Sequence, residues 1–232
     1  MYRQTRNYEN LQKRIYTGVG DWGVPEVRPS RLAKEDLLNK NWIGCNYMRG
    51  CDDPEEHCLH FFVDDYQFTR FWSDTDRYLP KLKRFRAVLT PDFSLYTDFP
   101  RAVQLYNHYR RHWLGAYWQE HGVEVIPTIG WSDESSYEFC FDGEPRNSIV
   151  AVSSVGTQAN ETSKVLFLKG FEEMQRRLNP RLIILYGDAP MEIDCDVIRV
   201  ESFQKRFDAL KAERMNLHAT NDDKAGADKH GR

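Results

Sequence analysis

Seven short β-rich runs recur along the chain: WIGCNY (42–47), LHFFVDD (59–65), RAVLTPD (86–92), VEVIPTIGW (123–131), SIVAVSSVG (148–156), RLIILYG (181–187) and DVIRVES (196–202). Several are apolar throughout rather than alternating, the pattern of strands buried on both faces of a parallel sheet. VPEV (24–27) is a candidate eighth strand. Helical patterns fill most of the gaps. The clearest starts after Asp98 and Pro100, with the carboxylate as cap and the proline in the first turn. It carries Ala102, Leu105, Tyr106, Tyr109, Trp113, Ala116 and Tyr117 as one apolar stripe, with Arg101, Gln104, His108, Arg111 and Glu120 mostly off it, and ends near Gly122. A second helix starts after Ser163 and stops at Asn179-Pro180, and a third runs from about Phe203 to Met215.

Strand–helix alternation repeated this often implies right-handed βαβ units. The fold expected is single-domain α/β, a (β/α) barrel-like arrangement of seven or eight mostly parallel strands, with an open doubly wound parallel sheet as the alternative. No G-x-G-x-x-G or Walker A loop favours that alternative. Residues 1–40 are expected to form an amino-terminal arm, 41–215 the barrel-like domain, and the polar residues 216–232 a disordered tail.

Composition adds bounds rather than chemistry. A chain of 232 residues with 41% hydrophobic positions is long enough for one packed core. A net charge of -3 gives no support for wholesale attraction to nucleic acid or membrane. No stretch has the length or apolarity of a signal peptide or membrane span. Five cysteines, an odd number without an export signal, point to reduced thiols and a cytoplasmic protein. No particular cofactor or oligomeric state is indicated.

Candidate chemistry collects where strands end, the rim on which parallel α/β barrels place their sites. Asn46 ends the first run, Asp64 and Asp65 the second, and Asp92 with Ser94 and Tyr96 the third. Trp131 and Ser132 follow the fourth, Ser153 and Ser154 end the fifth, and Tyr186 ends the sixth. Two carboxylates in different environments can serve as acid and base, or one as nucleophile toward a sugar carbon. Asp92 with Asp65 or Asp64 is the candidate pair, since they end adjacent strands. Alternation lets only one of Asp64 and Asp65 face the axis. The competing reading makes Asp65 and Asp92 caps of whatever follows them. The other rim residues are ligand-binding candidates, and the small residues around Ser153-Ser154 would let backbone N–H groups approach an anion.

Two louder patterns carry less. Cys45, Cys51, His57, Cys58 and His60 offer donors that suit zinc, but there is no C-x-x-C pair and Cys45 and His60 fall inside expected strands. No metal ligand is therefore assigned. The helix NHYRRHWLGAYW brings His108, Arg110, Arg111 and His112 beside Tyr109 and Trp113, a possible nucleic-acid surface that the apolar stripe explains mostly as core.

The runs HFFVDDYQF, LTPDFSLYTDFP, NHYRRHWLGAYWQEHGVEVIPTIGWSD, CFDGEPRNSIVAVSSVG and LNPRLIILYG together resemble domain-of-unknown-function family 4417, bacterial and phage proteins, across about residues 40 to 188. The resemblance implies an association with phages and mobile elements and transfers no catalytic residue. The order of PDFSLY, VIPTIGW, VAVSSVG and LIILYG is also loosely similar to barrels of the tRNA-guanine transglycosylase type. That family's paired glycines and compact cysteine cluster are absent. The expected role is binding of a small polar ligand of the sugar, nucleoside or nucleotide class at the rim, with carboxylate acid–base chemistry as one version. The alternatives are a non-catalytic partner of a host or phage factor and a DNA-associated accessory protein.

Overall fold

The computed structural model describes residues 13–205 together with Phe207 and Lys211. Among the described residues there are seven strands: β1 (Asn41–Gly44), β2 (His57–His60), β3 (Ala87–Leu89), β4 (Val125–Ile126), β5 (Ile149–Ser153), β6 (Leu182–Tyr186) and β7 (Val197–Val200). All pair in parallel, in the order β1-β2-β3-β4 in one sheet and β5-β6-β7 in the other. A single parallel bridge, Thr128 to Ala151, joins the two sheets. It is held by Ile129 N–H donating to the Ala151 carbonyl (2.7 Å) and Ala151 N–H to that of Pro127 (2.8 Å).

Strand order follows chain order throughout, whereas a doubly wound sheet reverses it at a switch point. The doubly wound alternative is thereby corrected. Among the described residues no ladder joins β7 back to β1, so the sheets do not close into a barrel. The eighth strand is also corrected, because Val24 makes only an isolated antiparallel bridge to Val19.

The inner strands β3–β6 are covered on both faces, which is why their sequences read as apolar runs, whereas β1 and β7 each carry an exposed residue. Alternate residues go to opposite sides. Trp42, Cys58, Ala87, Leu89, Ile126, Ile149, Ala151, Leu182, Ile184, Ile198 and Val200 form one cluster contributed by all seven strands. Leu59, Val88 and Val125 point the other way into an aromatic core with Phe61, Phe68, Phe71, Trp72, Trp113 and Trp118. Val150, Val152, Ile183 and Leu185 pack with Phe167, Phe171 and Met174.

The outer layer consists of α1 (Glu35–Leu38), α2 (Asp65–Ser73), α3 (Leu79–Leu82), α4 (Arg101–Glu120) and α5 (Glu161–Leu178). Helix α5 starts two residues before Ser163, capped by the Asn160 side chain accepting from Ser163 N–H, and ends on Asn179 in the left-handed conformation (φ 45°). Asp98 does not cap α4. Its cap position is Pro100, without a side-chain bond.

The amino-terminal stretch packs closely, with Val27 in the aromatic core and Leu32 and Leu37 in the central cluster. Phe203 to Lys205 are helical, as expected for the third helix, whose remainder and the tail lie largely outside the described residues. No helix among the described residues is long and apolar enough to cross a membrane.

Candidate functional site

The inward series of side chains change character at the carboxyl ends of the strands. After Trp42 comes Gly44, after Cys58 come His60 and Phe62, after Ala151 comes Ser153, and after Ile184 comes Tyr186. These positions line a cavity of about 740 Å³ over the carboxyl ends of β1, β2, β5 and β6, together with Asn46, Asp64, Asp92, Ser94 and Tyr96. A second cavity of about 510 Å³ lies over β3–β5, walled by Asp92, Ser94, Tyr96, Trp131, Ser132 and Ser153. The two meet along Asp92, Ser94, Tyr96, Ser153 and Val155. The result is one trough with Asp92 at its middle, in the size range of small-molecule sites.

The same parity sorts the residue pairs that sequence left open. Asp64 continues the inward series and lines the trough. Asp65 does not: it opens helix α2, and its carboxylate accepts from the Ser94 hydroxyl (2.9 Å) and backbone N–H (3.2 Å). Asp64 occupies the cap position of α2 but makes no side-chain capping bond. Ser153 lines both cavities, while Ser154 is buried and bonds the Tyr186 carbonyl through its backbone N–H.

Asp92, at the middle of the trough, sits in an altered environment. Its side chain is 31% exposed, and the protein around it pushes its carboxyl up to about 6. Desolvation is the largest cause; Asp65 adds to it, and Arg111 opposes it. The Arg111 guanidinium is buried and donates to the carbonyls of Pro91 (3.2 Å), Thr128 (3.2 Å) and Phe93 (2.9 Å) as well as to Asp92 Oδ1 (3.3 Å). It thus clamps the turns after β3 and β4 around the carboxylate.

Helix α4 supplies further props from the same face. Gln104 donates to the carbonyls of Tyr96 and Phe99 and accepts from the Ser132 hydroxyl (2.7 Å). Asn107 donates to the Ser94 carbonyl (2.6 Å). The sequence marks His60 only as a zinc donor and does not mark Gln104 or Asn107, although Gln104, Asn107 and Arg111 repeat at helical spacing. Of the basic residues in the nucleic-acid reading, His108, Arg111 and His112 are buried and Arg110 is half-buried.

Aromatic rings furnish the walls. His60, Phe62 and Tyr186 pack together with centroids 4.8–5.7 Å apart. Tyr47 and Phe203, both largely exposed, stack at the outer lip (6.4 Å). Trp131 rests on Phe167 and donates to the Leu166 carbonyl (3.2 Å).

The five thiol and imidazole residues considered for zinc are not gathered. Cys45 lies in the aromatic core and Cys58 in the central cluster, and burial pushes both thiols up to about 12. Cys51 and His57 meet Asp53 instead, where His57 Nδ1 already donates to the Asp53 carbonyl (2.9 Å). A separate buried group, His108, His112 and Glu144, lies between α4 and the turn at 140–144.

These features define an α/β protein of parallel strands with a polar, aromatic-walled trough over the strand carboxyl ends. The chain belongs to the family described as Domain of unknown function (DUF4417), which matches residues 16–204. The match is wider than the 40–188 read from motifs and takes in most of the amino-terminal stretch. The chain is 45% identical over 187 residues to the Gene 1 protein of Mycobacterium phage L5, covering 80% of each chain. It is 40% identical over 199 residues to the Gene 1 protein of Mycobacterium phage D29, covering 86% of this chain and 73% of that one. No solved structure matches.

Proposed function

We propose that this phage-type protein binds a small polar ligand of the nucleoside or sugar class in the trough, with Asp92 as the proton-handling group. The observation that carries this reading is the Asp92 carboxyl, raised to about 6 where two cavities meet. A carboxyl at that value exchanges protons near neutral pH and suits general acid–base work. Asp64, exposed and lining the same trough, is the complementary carboxylate. Asp65 is a positioning residue that fixes Ser94. Asn46, Ser94, Tyr96, Ser132 and Ser153 offer hydrogen bonds to hydroxyl or ring-edge groups, while Trp131, Phe62 and Tyr186 offer faces for a planar or sugar ring. The sequential strand order and the single inward cluster support reading the seven strands as an incompletely closed barrel whose carboxyl rim is this trough. Free cysteines throughout suit a reducing cytoplasm.

The test begins with mass spectrometry of small molecules released from the purified full chain, followed by thermal-shift titration with nucleosides, nucleotides and sugars. One compound class should raise the midpoint. Trp131→Ala should abolish that rise, and Asp92→Asn should preserve binding while stopping turnover. Failure of every class to bind the folded protein would overturn the reading. Turnover that survives Asp92→Asn would remove Asp92 from the chemistry.

A further inference from the structure

The geometry points to a second site, independent of the trough: we propose that His108, His112 and Glu144 bind a buried divalent transition-metal ion of the zinc class. His108 and His112 sit one turn apart on α4 with ring centroids 4.3 Å apart, and one donor atom from each of the three residues lies within 4.8 Å of the others. All three side chains are enclosed, His112 at 1% exposure and the Glu144 side chain at 0%, with His108 also buried.

The hydrogen bonds fix which ring nitrogens are free. His108 Nε2 lies 3.0 Å from the Asp142 carbonyl, and His112 Nδ1 lies 3.0 Å from that of Pro25. A carbonyl oxygen only accepts, so each of these nitrogens carries the hydrogen. In the neutral rings the lone pairs therefore sit on His108 Nδ1 and His112 Nε2. His108 Nδ1 is buried without a partner, and so is Glu144 Oε2. His112 Nε2 faces Glu144 Oε1 at 2.8 Å.

A proton placed between His112 and Glu144 satisfies that one contact and leaves two buried orphans, each with its desolvation uncompensated. A cation satisfies all three groups at once. Imidazole rings oriented by N–H bonds to backbone carbonyls are the usual support of metal ligands. Two imidazoles and a carboxylate are a borderline-soft set that zinc accepts, with one position left for water. Binding requires the 2.8 Å contact to open by about 0.5 Å, to the donor spacing of a tetrahedral zinc.

The surrounding backbone holds this arrangement tightly. Gly143 adopts φ +75°, and a Cβ there would come within 2.5 Å of the Pro25 carbonyl oxygen and 2.8 Å of His112 Nδ1. Val27 N–H donates to the Gly143 carbonyl (2.9 Å). The ion would therefore fasten α4 to the 140–144 turn, with the amino-terminal stretch bonded to both through Pro25 and Val27.

The experiment uses the untagged full chain, loaded with zinc and desalted, with metal content read by mass spectrometry. About one ion per chain is expected, with a zinc-dependent rise in the thermal midpoint and a visible ligand-field spectrum on cobalt substitution. Glu144→Gln and His108→Asn should each weaken affinity by at least about tenfold, while Cys51→Ser should change nothing. Should the variants fail to fold, the wild-type midpoint shift and cobalt spectrum still decide. A folded wild type with less than a tenth of an equivalent of metal, no shift and no cobalt bands overturns the site. A zinc affinity unchanged in both Glu144→Gln and His108→Asn overturns the ligand set.

Discussion

Replacing Asp92 with asparagine should stabilise the protein at neutral pH, against the usual expectation for one half of an ion pair. The Asp92 carboxyl is pushed from 3.8 up to about 6, chiefly by desolvation. Between these values the folded chain holds a proton that the unfolded chain has released. Stability therefore falls as pH rises through that window. Two pH units at about 1.4 kcal/mol each set an upper bound of about 3 kcal/mol on the cost of the charge at pH 7. With 31% of the side chain exposed, trough water screens part of this, leaving about 1–2 kcal/mol. The opposing effect is the contact to Arg111, since truncating a buried pair typically costs about 3–5 kcal/mol. Here it is small: the Asp92 bond at 3.3 Å is the longest of four, the other three acceptors remain, and asparagine keeps an oxygen in place. Urea unfolding of both proteins from about pH 4 to pH 8 is the assay. The variant's advantage should be near zero at the acid end and grow to about 1–2 kcal/mol at pH 7. A variant less stable than wild type at pH 7, or a difference independent of pH, would refute the reasoning.

Asp65→Ala removes both acceptors of Ser94 and an acidic group from the first turn of α2, and should lower stability by about 2 kcal/mol in urea titration. Gly170→Ala would gain up to about 1 kcal/mol of helix propensity on an isolated helix. In α5 its Cβ would fall 2.1 Å from the Trp131 indole nitrogen, so the ring must swing out, with a shifted tryptophan emission and net destabilisation. Native protein treated with iodoacetamide near pH 8 should be alkylated at half-buried Cys51 and Cys195, as peptide mapping would show. Cys45, Cys58 and Cys140, buried with their thiols pushed well up, should react only after unfolding.

All seven strands were legible: burial on both faces writes apolar runs into β3–β6, even the two-residue β4 inside VEVIPTIGW, and β1 and β7 keep short apolar stretches at WI and VI. The joining of the two sheets was not legible. Pairing between β4 and β5 rests on one bridge at Thr128 and Ala151, and nothing local to either run encodes it. The rim was legible as a location, since polarity rises where each inward series leaves the central cluster. Choosing Asp64 over Asp65, or Ser153 over Ser154, for the trough wall needed the strand register, which sets the side every later residue takes.

Helix α4 shows why the rest stayed hidden. Its apolar positions Leu105, Tyr106, Tyr109 and Tyr117 are only half-buried and Ala102 is exposed, whereas Gln104, Asn107, His108, Arg111 and His112 are buried. A hydrophobic stripe identifies the inward face when the facing surface is apolar. Here that surface includes loop carbonyls after β3 and β4, and the side chains that meet it must donate hydrogen bonds. The polar residues at 104, 107, 108, 111 and 112 keep helical spacing as faithfully as the apolar ones. Polarity with that period, between two strand-like runs, is thus a readable sign of a helix propping a site. In this chain the same face carries the Arg111 clamp under Asp92 and, beside it, His108 and His112. One helix therefore orders the proposed trough and the proposed metal knot together.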